Sequence, residues 1–236
     1  MFSETADYYD LLYFTLKDYE REATQLASEL LRQHPHCHSV LDVACGTGEH
    51  AWRLAARDFD VDGVDLSPDF VRIARDKHPR GHFVVADMTA FDLARRYDAV
   101  VCLFSSIGYA RTLDRVEAAF RCFREHLAPG GVVLVEPWFP PGFLEHGREV
   151  TNEATAGDVR IVRRCRVELA DRVSRLHFDY EITDSGTMRQ ATEVHELGLF
   201  TVDEMCAAFA RAGLRATYSA GGLCDRGLLI AREHEN

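Results

Sequence analysis

Ser39-Val-Leu-Asp-Val-Ala-Cys-Gly-Thr-Gly-Glu-His-Ala51 has the composition of a buried strand that runs into a glycine loop and then a helix. Gly46, Gly48 and Ala51 satisfy the pattern G-x-G-x-x-G/A, in which the loop lets a nucleotide-like ligand approach the backbone at the helix N-terminus. Asp42 lies near the end of the strand, where a carboxylate would repel a pyrophosphate. This segment therefore predicts a doubly wound parallel sheet that binds a positively charged ligand.

Two further carboxylates follow at predicted strand ends. Val61-Asp-Gly-Val-Asp-Leu66 closes on Asp65, 23 residues after the first acid and near the offset of roughly 20 residues at which an acid meets ribose hydroxyls. The next strand ends on Asp87, which is placed to accept from an adenine amino group while Leu66 and Met88 hold the ring. Three acids in this order favour a cationic adenosine derivative, and S-adenosylmethionine (SAM), with its sulfonium and ammonium groups, is one.

The rest of the apolar pattern predicts an α/β fold. Strands and helices alternate, which is typical of a parallel sheet with helices on both faces. The Rossmann-like sheet is expected to have seven strands. Helices are predicted near 18–32, 48–57, 68–77, 112–127 and 202–212, and strands near 40–44, 60–64, 82–86, 97–103, 131–136, 214–219 and 227–232.

Between Pro140 and Gly198 the apolar residues recur at every second position, as along 159–169 and 175–182. This period predicts antiparallel hairpins inserted after the fifth strand, over the strand ends where ligands bind. We therefore expect three parts: a SAM-binding Rossmann-like domain with an N-terminal cap (1–138), an inserted antiparallel lid or acceptor subdomain (139–198), and a C-terminal helix and strands that complete the sheet (199–236).

Two sets of motifs resemble known families. Leu41–Gly48, Gly63–Ser67 and Ala86–Met88 resemble the cofactor motifs of class I SAM-dependent methyltransferases, over about the first 136 residues. Four further segments resemble nucleotide-linked (TDP) amino-sugar N,N-dimethyltransferases of the desosamine and mycaminose type, which act in antibiotic biosynthesis: Cys102–Tyr109, Val133–Phe139, Glu193–Phe200 and Gly221–Leu228. The resemblance implies a SAM-dependent N-methyltransferase that acts on the amine of a nucleotide-linked sugar.

The residues that would bind the cofactor follow the predicted strand ends. Phe104 ends the fourth strand, at the position that usually faces the transferred methyl group. The expected cofactor contacts are Asp42, Ala44, Gly46, Gly48, Asp65, Leu66, Asp87, Met88 and Phe104.

Three residues are candidates for catalysis. We expect Tyr9 and Tyr109 to orient the acceptor amine and His195 or water to carry its proton, although each also fits as an ordinary core residue. The resemblance places Tyr109 near the acceptor amine, where some relatives carry histidine. Tyrosine is a weak base at neutral pH, so the sequence does not identify a single dedicated base.

Substrate contacts are expected from Tyr13, Ser106, Trp138 and Arg226. The resemblance places Arg226 at the acceptor site, and a guanidinium suits a diphosphate. The tyrosine and tryptophan fit equally as core aromatics, and the serine as a turn former. The arginines of the predicted hairpins are interpreted mostly as solvated strand faces: Arg160, Arg163, Arg164, Arg166, Arg172 and Arg175.

Composition excludes several partners. The 236 residues include 38 acidic and 27 basic side chains, a formal net charge of −11, so nucleic acid and anionic membranes are not expected as partners. The seven cysteines include no C-x-x-C pair and are expected to be reduced thiols. The histidines at 34, 36 and 38 lack the arrangement of a metal site, so no metal is expected. With an acidic N-terminus and no apolar run of about 20 residues, we expect a cytoplasmic protein; a homodimer is compatible with the sequence.

Three alternatives stay open at this point. One is a SAM-dependent O- or N-methyltransferase of another small molecule, and another is a SAM-fold binding module without activity. The third is an NAD-dependent oxidoreductase, which the glycine pattern allows. Asp42 and the lack of a Tyr-x-x-x-Lys pair argue against it.

Overall fold

The computed structural model describes residues 5–223 and 226–233 and has two sheets. Strands β1 to β5 and β10 to β11 form one sheet, and β6 to β9 form the other. The strands are β1 (Ser39–Val43), β2 (Asp60–Asp65), β3 (Phe83–Val85), β4 (Tyr97–Cys102), β5 (Leu127–Val135), β6 (Glu149–Ala156), β7 (Val159–Ala170), β8 (Val173–Asp184), β9 (Thr187–Gly198), β10 (Leu214–Ser219) and β11 (Leu228–Glu233).

Six α-helices connect these strands or precede them: α1 (Tyr9–Tyr13), α2 (Tyr19–Gln33), α3 (Glu49–Ala55), α4 (Pro68–Lys77), α5 (Leu113–Glu125) and α6 (Val202–Arg211). Short 3-10 helices span Ala6–Tyr8 and Ser106–Ala110. Side chains at the helix starts satisfy backbone N–H groups, as when Asp18 accepts from the N–H of Arg21. Among residues 5–223 and 226–233, none of the helices combines the length and apolar character needed to cross a bilayer.

The seven-stranded sheet confirms the predicted α/β class. Its order is β10-β11-β5-β4-β1-β2-β3, and β11 runs antiparallel to both of its neighbours. The order reverses between β1 and β4, which pair in parallel. Ligands of doubly wound sheets bind in the crevice that such a reversal opens at the carboxyl ends of the strands.

Apolar side chains cover both faces of this sheet. On one face α5 and α6 meet through Phe120 and Phe209, whose rings stack at 3.6 Å. On the other face α2, α3 and α4 enclose a second core that includes Leu30, Leu54 and Val71, all fully buried. The two covered faces leave the strand ends as the place where the sheet is open to a ligand.

The fifth strand begins earlier than the sequence predicts. We expected it near 131–136, but Leu127 already pairs with Tyr97. The ladder then shifts register before Ala99 pairs with Val132. The Pro129-Gly-Gly131 segment is therefore an irregularity inside β5 rather than the link between helix and strand.

The four-stranded antiparallel sheet lies in the order β6-β7-β8-β9, over the open strand ends. Trp138, just beyond β5, donates from its indole N–H to the Ser174 hydroxyl on β8 at 2.9 Å. Tyr13 on α1 accepts from Arg163 on β7. The N-terminal helix and this sheet therefore close over the crevice together.

The N-terminal segment is also tied to the glycine loop. Asp10 on α1 accepts from the Thr47 hydroxyl at 2.6 Å and pairs with Lys77 on α4. Lys77 also pairs with Glu49, at the first position of α3. We call these four side chains the Asp10 clasp. It holds α1 against the loop that follows β1.

Gly63→Ala should test the close packing beneath the glycine loop. A Cβ at position 63 would lie 2.7 Å from the Phe83 ring and 2.9 Å from the Cys45 sulfur, and neither group has space to move. We expect the free energy of unfolding in urea to fall by about 1–3 kcal/mol. Gly221→Ala is the control, because its Cβ would meet nothing within 4 Å; equal stability of the two variants would contradict this account.

Candidate active site

A cavity of about 770 Å³ lies between the strand ends of the large sheet and the inner face of the small one. Fourteen of the sixteen residues predicted for the site line it. Asp42 and Gly48 do not. The lining residues are Tyr9, Tyr13, Ala44, Gly46, Asp65, Leu66, Asp87, Met88, Phe104, Ser106, Tyr109, Trp138, His195 and Arg226.

The glycine loop has left-handed backbone at Ala44, Gly46 and Gly48, with φ of 58°, 56° and 78°. Gly46 turns its N–H towards Asp65, whose Oδ2 accepts it at 2.9 Å. A Cβ at Gly48 would lie 3.0 Å from the Cβ of Ala74, so the lack of a side chain lets the start of α3 pack closely against α4. The contact of Gly48 with the cofactor stays a prediction.

Asp65 and Leu66 form the edge of the cavity at the end of β2. The second carboxylate oxygen of Asp65 accepts from the Ser67 N–H at 2.8 Å, so backbone donors hold both oxygens in place. Each oxygen retains a lone pair for a ligand hydroxyl. Leu66 is 51% exposed and presents its side chain to the cavity.

Asp87 is already engaged by the protein. Its Oδ1 accepts from the N–H and hydroxyl of Thr89, and its Oδ2 pairs with Arg115 at 2.8 Å. These contacts hold the pKa of Asp87 below its usual value despite partial burial. Arg115, in the first turn of α5, was not among the predicted site residues. The contact of Asp87 with an adenine amino group stays a prediction.

Asp42 is 2% exposed and lines a smaller cavity of about 40 Å³ beneath the glycine loop. Within residues 5–223 and 226–233, its Oδ2 has no hydrogen-bond partner. Burial, with the charge of Asp65 adding to it, raises the pKa of Asp42 to about 8, and Lys17 opposes this shift. Asp42 is therefore largely protonated at pH 7, and a cation in this cavity would favour its ionised form.

The end of β4 carries two consecutive residues with left-handed backbone, Phe104 at φ 51° and Ser105 at φ 61°. Such conformations are costly for residues with side chains and are concentrated at functional sites. Glu136 accepts from the Phe104 N–H at 2.6 Å, and the Ser105 hydroxyl donates to the Pro137 carbonyl at 2.8 Å. These bonds hold the Phe104 ring between the glycine loop and the small sheet.

Two cations lie over the Phe104 ring. The ammonium of Lys17 lies 3.6 Å from the ring centroid, and the guanidinium carbon of Arg226 lies 4.9 Å from it. Arg226 also donates to the Ser105 hydroxyl at 3.2 Å. Arg226 thus lies beside Phe104, and its place at the acceptor site stays a prediction. Cys224, in the same motif, lies outside the described residues.

Lys17 was not among the predicted site residues. Its side chain is 5% exposed, and its ammonium lies 2.8 Å from Glu22, which also contacts His50. Lys17 directly precedes Asp18, the N-cap of α2, where a cation opposes the helix dipole. That unfavourable position was the signal in the sequence that could have identified it.

Arg163 corrects the interpretation of the hairpin arginines. Arg160 and Arg164 are exposed and pair with acidic residues, as expected of a solvated face. Arg163 is 6% exposed and donates to the Tyr13 hydroxyl and to the Asn152 side chain, each at 2.9 Å. It occupies a position in the period-2 pattern of β7 that faces inward, and that register was the signal available in the sequence.

Tyr109 and His195 are joined in a hydrogen-bonded chain. The Tyr109 hydroxyl lies 2.9 Å from Nδ1 of His195, and Nε2 of His195 lies 3.2 Å from Glu193. Glu193 also accepts from the Thr5 hydroxyl at 2.7 Å and from the Tyr180 hydroxyl at 3.3 Å. The histidine was among the predicted site residues, but the Glu193 carboxylate that contacts it was not.

Neither candidate tyrosine is a base at neutral pH. Although 40% of the surface of Tyr109 is exposed, its hydroxyl points to the buried His195, and desolvation raises the pKa of Tyr109 well above its usual value. Burial also raises the pKa of Tyr9, whose ring lies 4.2 Å from that of Tyr13 and 4.9 Å from that of Phe70. Both hydroxyls therefore act on a ligand as neutral hydrogen-bonding groups.

This chain matches a known protein family and is similar to a named enzyme. The family described as "Methyltransferase domain" matches residues 40–131. The chain is 39% identical over 228 residues to the dTDP-3-amino-3,4,6-trideoxy-alpha-D-glucopyranose N,N-dimethyltransferase of Streptomyces venezuelae, covering 95% of this chain and 96% of the relative.

Two solved structures are also similar to this chain. The crystal structure of DesVI from Streptomyces venezuelae matches with a TM-score of 0.92 and 37% identity, over 97% of this chain and 98% of the other. SAM-bound CalS10 from Micromonospora echinaspora, an amino pentose methyltransferase of calicheamicin biosynthesis, matches with a TM-score of 0.83 and 33% identity, over 92% of each chain.

Asp42→Asn should stabilise the ligand-free protein more at high pH than at low pH. An unfolded aspartate titrates near about 3.9, whereas folding raises the pKa of Asp42 to about 8. The folding stability that the protein has with Asp42 neutral is therefore fully present below about pH 4, and it is lost as the pH rises through 8. Asparagine stays neutral, so we expect its melting temperature to exceed that of the unsubstituted protein by several degrees at pH 9 and by little at pH 4.

The control is Asp76→Asn, because the Asp76 side chain is 75% exposed and should give the same small effect at both pH values. Differential scanning calorimetry measures both. An effect of Asp42→Asn that did not change with pH would contradict the raised pKa.

Proposed function

Because the chain belongs to the family of nucleotide-linked amino-sugar N,N-dimethyltransferases, we propose that it transfers methyl groups from SAM to the amine of a dTDP-linked amino sugar. The observation that carries the proposal is the single continuous cavity, which joins the crevice at the strand ends to the inner face of the small sheet. Tyr9, Phe104 and Tyr109 lie where the two regions meet. A cofactor and an acceptor can therefore face each other there.

The residues of the crevice fit SAM. The unpaired oxygen of Asp42 is suited to an ammonium group, and Asp65 to ribose hydroxyls. Leu66 and Met88 provide apolar surface for a purine. When bound, SAM supplies an electrophilic methyl group on a sulfonium that leaves as a neutral sulfide.

Lys17 suits the remaining charge of the cofactor. An amino acid tail carries a carboxylate as well as an ammonium, and Lys17 lines the same small cavity as Asp42. Its ammonium already lies beside Glu22. Lys17 can therefore bind the cofactor carboxylate as well, and no buried charge is left without a partner. We propose that Asp42 and Lys17 hold the two ends of the zwitterion.

The other end of the cavity suits an anionic sugar nucleotide. Arg226 lies 5.9 Å from the Trp138 ring and 5.6 Å from the Phe139 ring, and it makes no ion pair among residues 5–223 and 226–233. Its guanidinium is thus available for a diphosphate. Aromatic side chains on either side, including Tyr13, supply surface for the sugar.

The part of the chain from 139 to 198 is proposed as the acceptor subdomain. Its inner face provides Arg163, Phe178 and His195 to the cavity, while the part before it provides the proposed cofactor contacts. The N-terminal cap contributes Tyr9 and Tyr13 and is held by the Asp10 clasp. Each ligand is thus enclosed by a different part of the chain.

Methylation needs the free amine, and an amino sugar in water near neutral pH is mostly protonated. Tyr109 is placed to receive an ammonium proton while its own hydroxyl proton passes to Nδ1 of His195. The imidazolium formed would be stabilised by Glu193. Beyond this, holding two reactants in line contributes up to roughly 7–11 kcal/mol to the lowering of the barrier.

The direct test is turnover. The purified protein with SAM is expected to convert a dTDP-linked 3-amino or 4-amino sugar to its N,N-dimethyl product, with mass spectrometry following gains of one and then two methyl groups. A panel of hydroxylated dTDP-sugars without an amine serves as the control. Methylation of the amine-free sugars alone would contradict the proposal in favour of an O-methyltransferase.

Arg226→Met should weaken binding of the nucleotide sugar. A hydrogen bond between charged groups contributes about 1.5–3 kcal/mol, so we expect KM for the dTDP-sugar to rise about 10- to 100-fold. The affinity for SAM should change little, as isothermal titration calorimetry would show. Arg160→Met, on the exposed face of β7, is the matched control, and equal KM values for the two variants would rule out the phosphate contact.

A further inference from the structure

Glu193 fixes the direction of the hydrogen bonds that reach the cavity. It is 7% exposed and accepts from the hydroxyls of Thr5 and Tyr180. An ionised carboxylate can only accept hydrogen bonds, so Nε2 of His195 must donate to it. Nδ1 of the neutral ring then carries a lone pair and no proton.

The position of the His195 proton also fixes the direction of the hydrogen bond between His195 and Tyr109. Since Nδ1 of His195 can only accept, the Tyr109 hydroxyl donates its proton to it at 2.9 Å. The Tyr109 oxygen therefore offers only lone pairs to the cavity that it lines. A neutral tyrosine, which in water is both donor and acceptor, is thus converted into an acceptor by a carboxylate two side chains away.

We propose that Glu193, acting through His195, makes Tyr109 an obligatory acceptor for an N–H of the substrate amine, and that this polarity supports two methyl transfers and then releases the product. The inference rests on the proposed function. A primary amine that donates one N–H to Tyr109 turns its lone pair away from that oxygen. If Tyr109 donated a hydrogen bond instead, the amine nitrogen would accept it with the lone pair that has to attack the methyl group.

The same contact limits the number of transfers. A primary amine has two N–H groups and the monomethylated amine has one, so each can bind Tyr109 with its lone pair free. The free tertiary amine has none and loses the contact. Tyr109 thus holds both substrates of an N,N-dimethyltransferase and does not hold its product.

Each methyl transfer is followed by one proton transfer. The nitrogen lone pair forms the N–C bond while the C–S bond breaks and its electron pair stays on sulfur. The new ammonium gives an N–H proton to the Tyr109 oxygen as the Tyr109 hydroxyl proton moves to Nδ1 of His195. The imidazolium beside Glu193 then loses its proton to solvent before the next transfer.

The tautomer of His195 can be observed without altering Glu193. In protein labelled with 15N-histidine, two-bond proton–nitrogen correlations distinguish Nδ1–H from Nε2–H rings, and the His195 signals are assigned by their loss in His195→Gln. We expect His195 to carry its proton on Nε2 at neutral pH. A proton on Nδ1 would overturn the inference, and this readout does not depend on folding of a Glu193 variant.

Glu193→Gln tests the consequence for turnover. The glutamine amide can donate to Nε2, which allows the ring to carry its proton on Nδ1 and Tyr109 to point its hydroxyl into the cavity. We expect kcat to fall about 10- to 100-fold, as when a group that orients a reacting side chain is removed, while KM changes less than about threefold. The monomethylated sugar should accumulate, because its single N–H depends wholly on Tyr109.

Glu181→Gln is the matched control, since Glu181 lies on the neighbouring strand β8 and pairs with Arg164 on the exposed face. It should retain the kcat, the KM and the product ratio of the unsubstituted protein. An unchanged kcat and product ratio in Glu193→Gln would overturn this inference and leave the proposed function intact. No turnover of any dTDP-amino sugar by the unsubstituted protein would instead remove the proposed function and this inference with it.

Discussion

The hydrogen bond from the Gly46 N–H to Asp65 joins the glycine loop to the end of β2, and the geometry of the crevice depends on it. A left-handed backbone at Gly46 is what turns the N–H towards the acid. With the loop held there, Asp42 lies buried beneath it, near a second carboxylate and short of a partner. Among the described residues, the protein thus keeps an unpaired carboxyl group in the crevice, and burial together with Asp65 raises its pKa. A cation beside that group would favour its ionised form, whereas a phosphate would not, which fits a family that uses SAM rather than a dinucleotide.

Most of the fold was predictable because its signals are local. Alternating strands and helices, the glycine loop and the period-2 segment each depend on residues close in sequence, and Asp42, Asp65 and Asp87 all lie at or near strand ends. The close packing of Gly48 against Ala74 could not be predicted, because Ala74 lies on another helix and no local pattern shows that contact.

The hydrogen bonds of the small sheet were less predictable for the same reason. Arg163 interrupts an apolar strand face, and its acceptors come from α1 and β6. Glu193 acquires its role only when Thr5 and Tyr180 are brought to it from distant parts of the chain. A sequence shows which side chains can donate or accept hydrogen bonds. In a buried row of hydrogen-bonded side chains, however, which partner donates at each bond depends on tertiary contacts at the last residue of the row.

The Asp10 clasp has a consequence for the shape of the cavity. Asp10, Tyr9 and Tyr13 share one short helix, so the contacts that fasten this helix to the glycine loop also fix two aromatic side chains of the cavity wall. A charge change at Asp10 or Lys77 would therefore alter the outline of the cavity without touching any atom that lines it at those tyrosines.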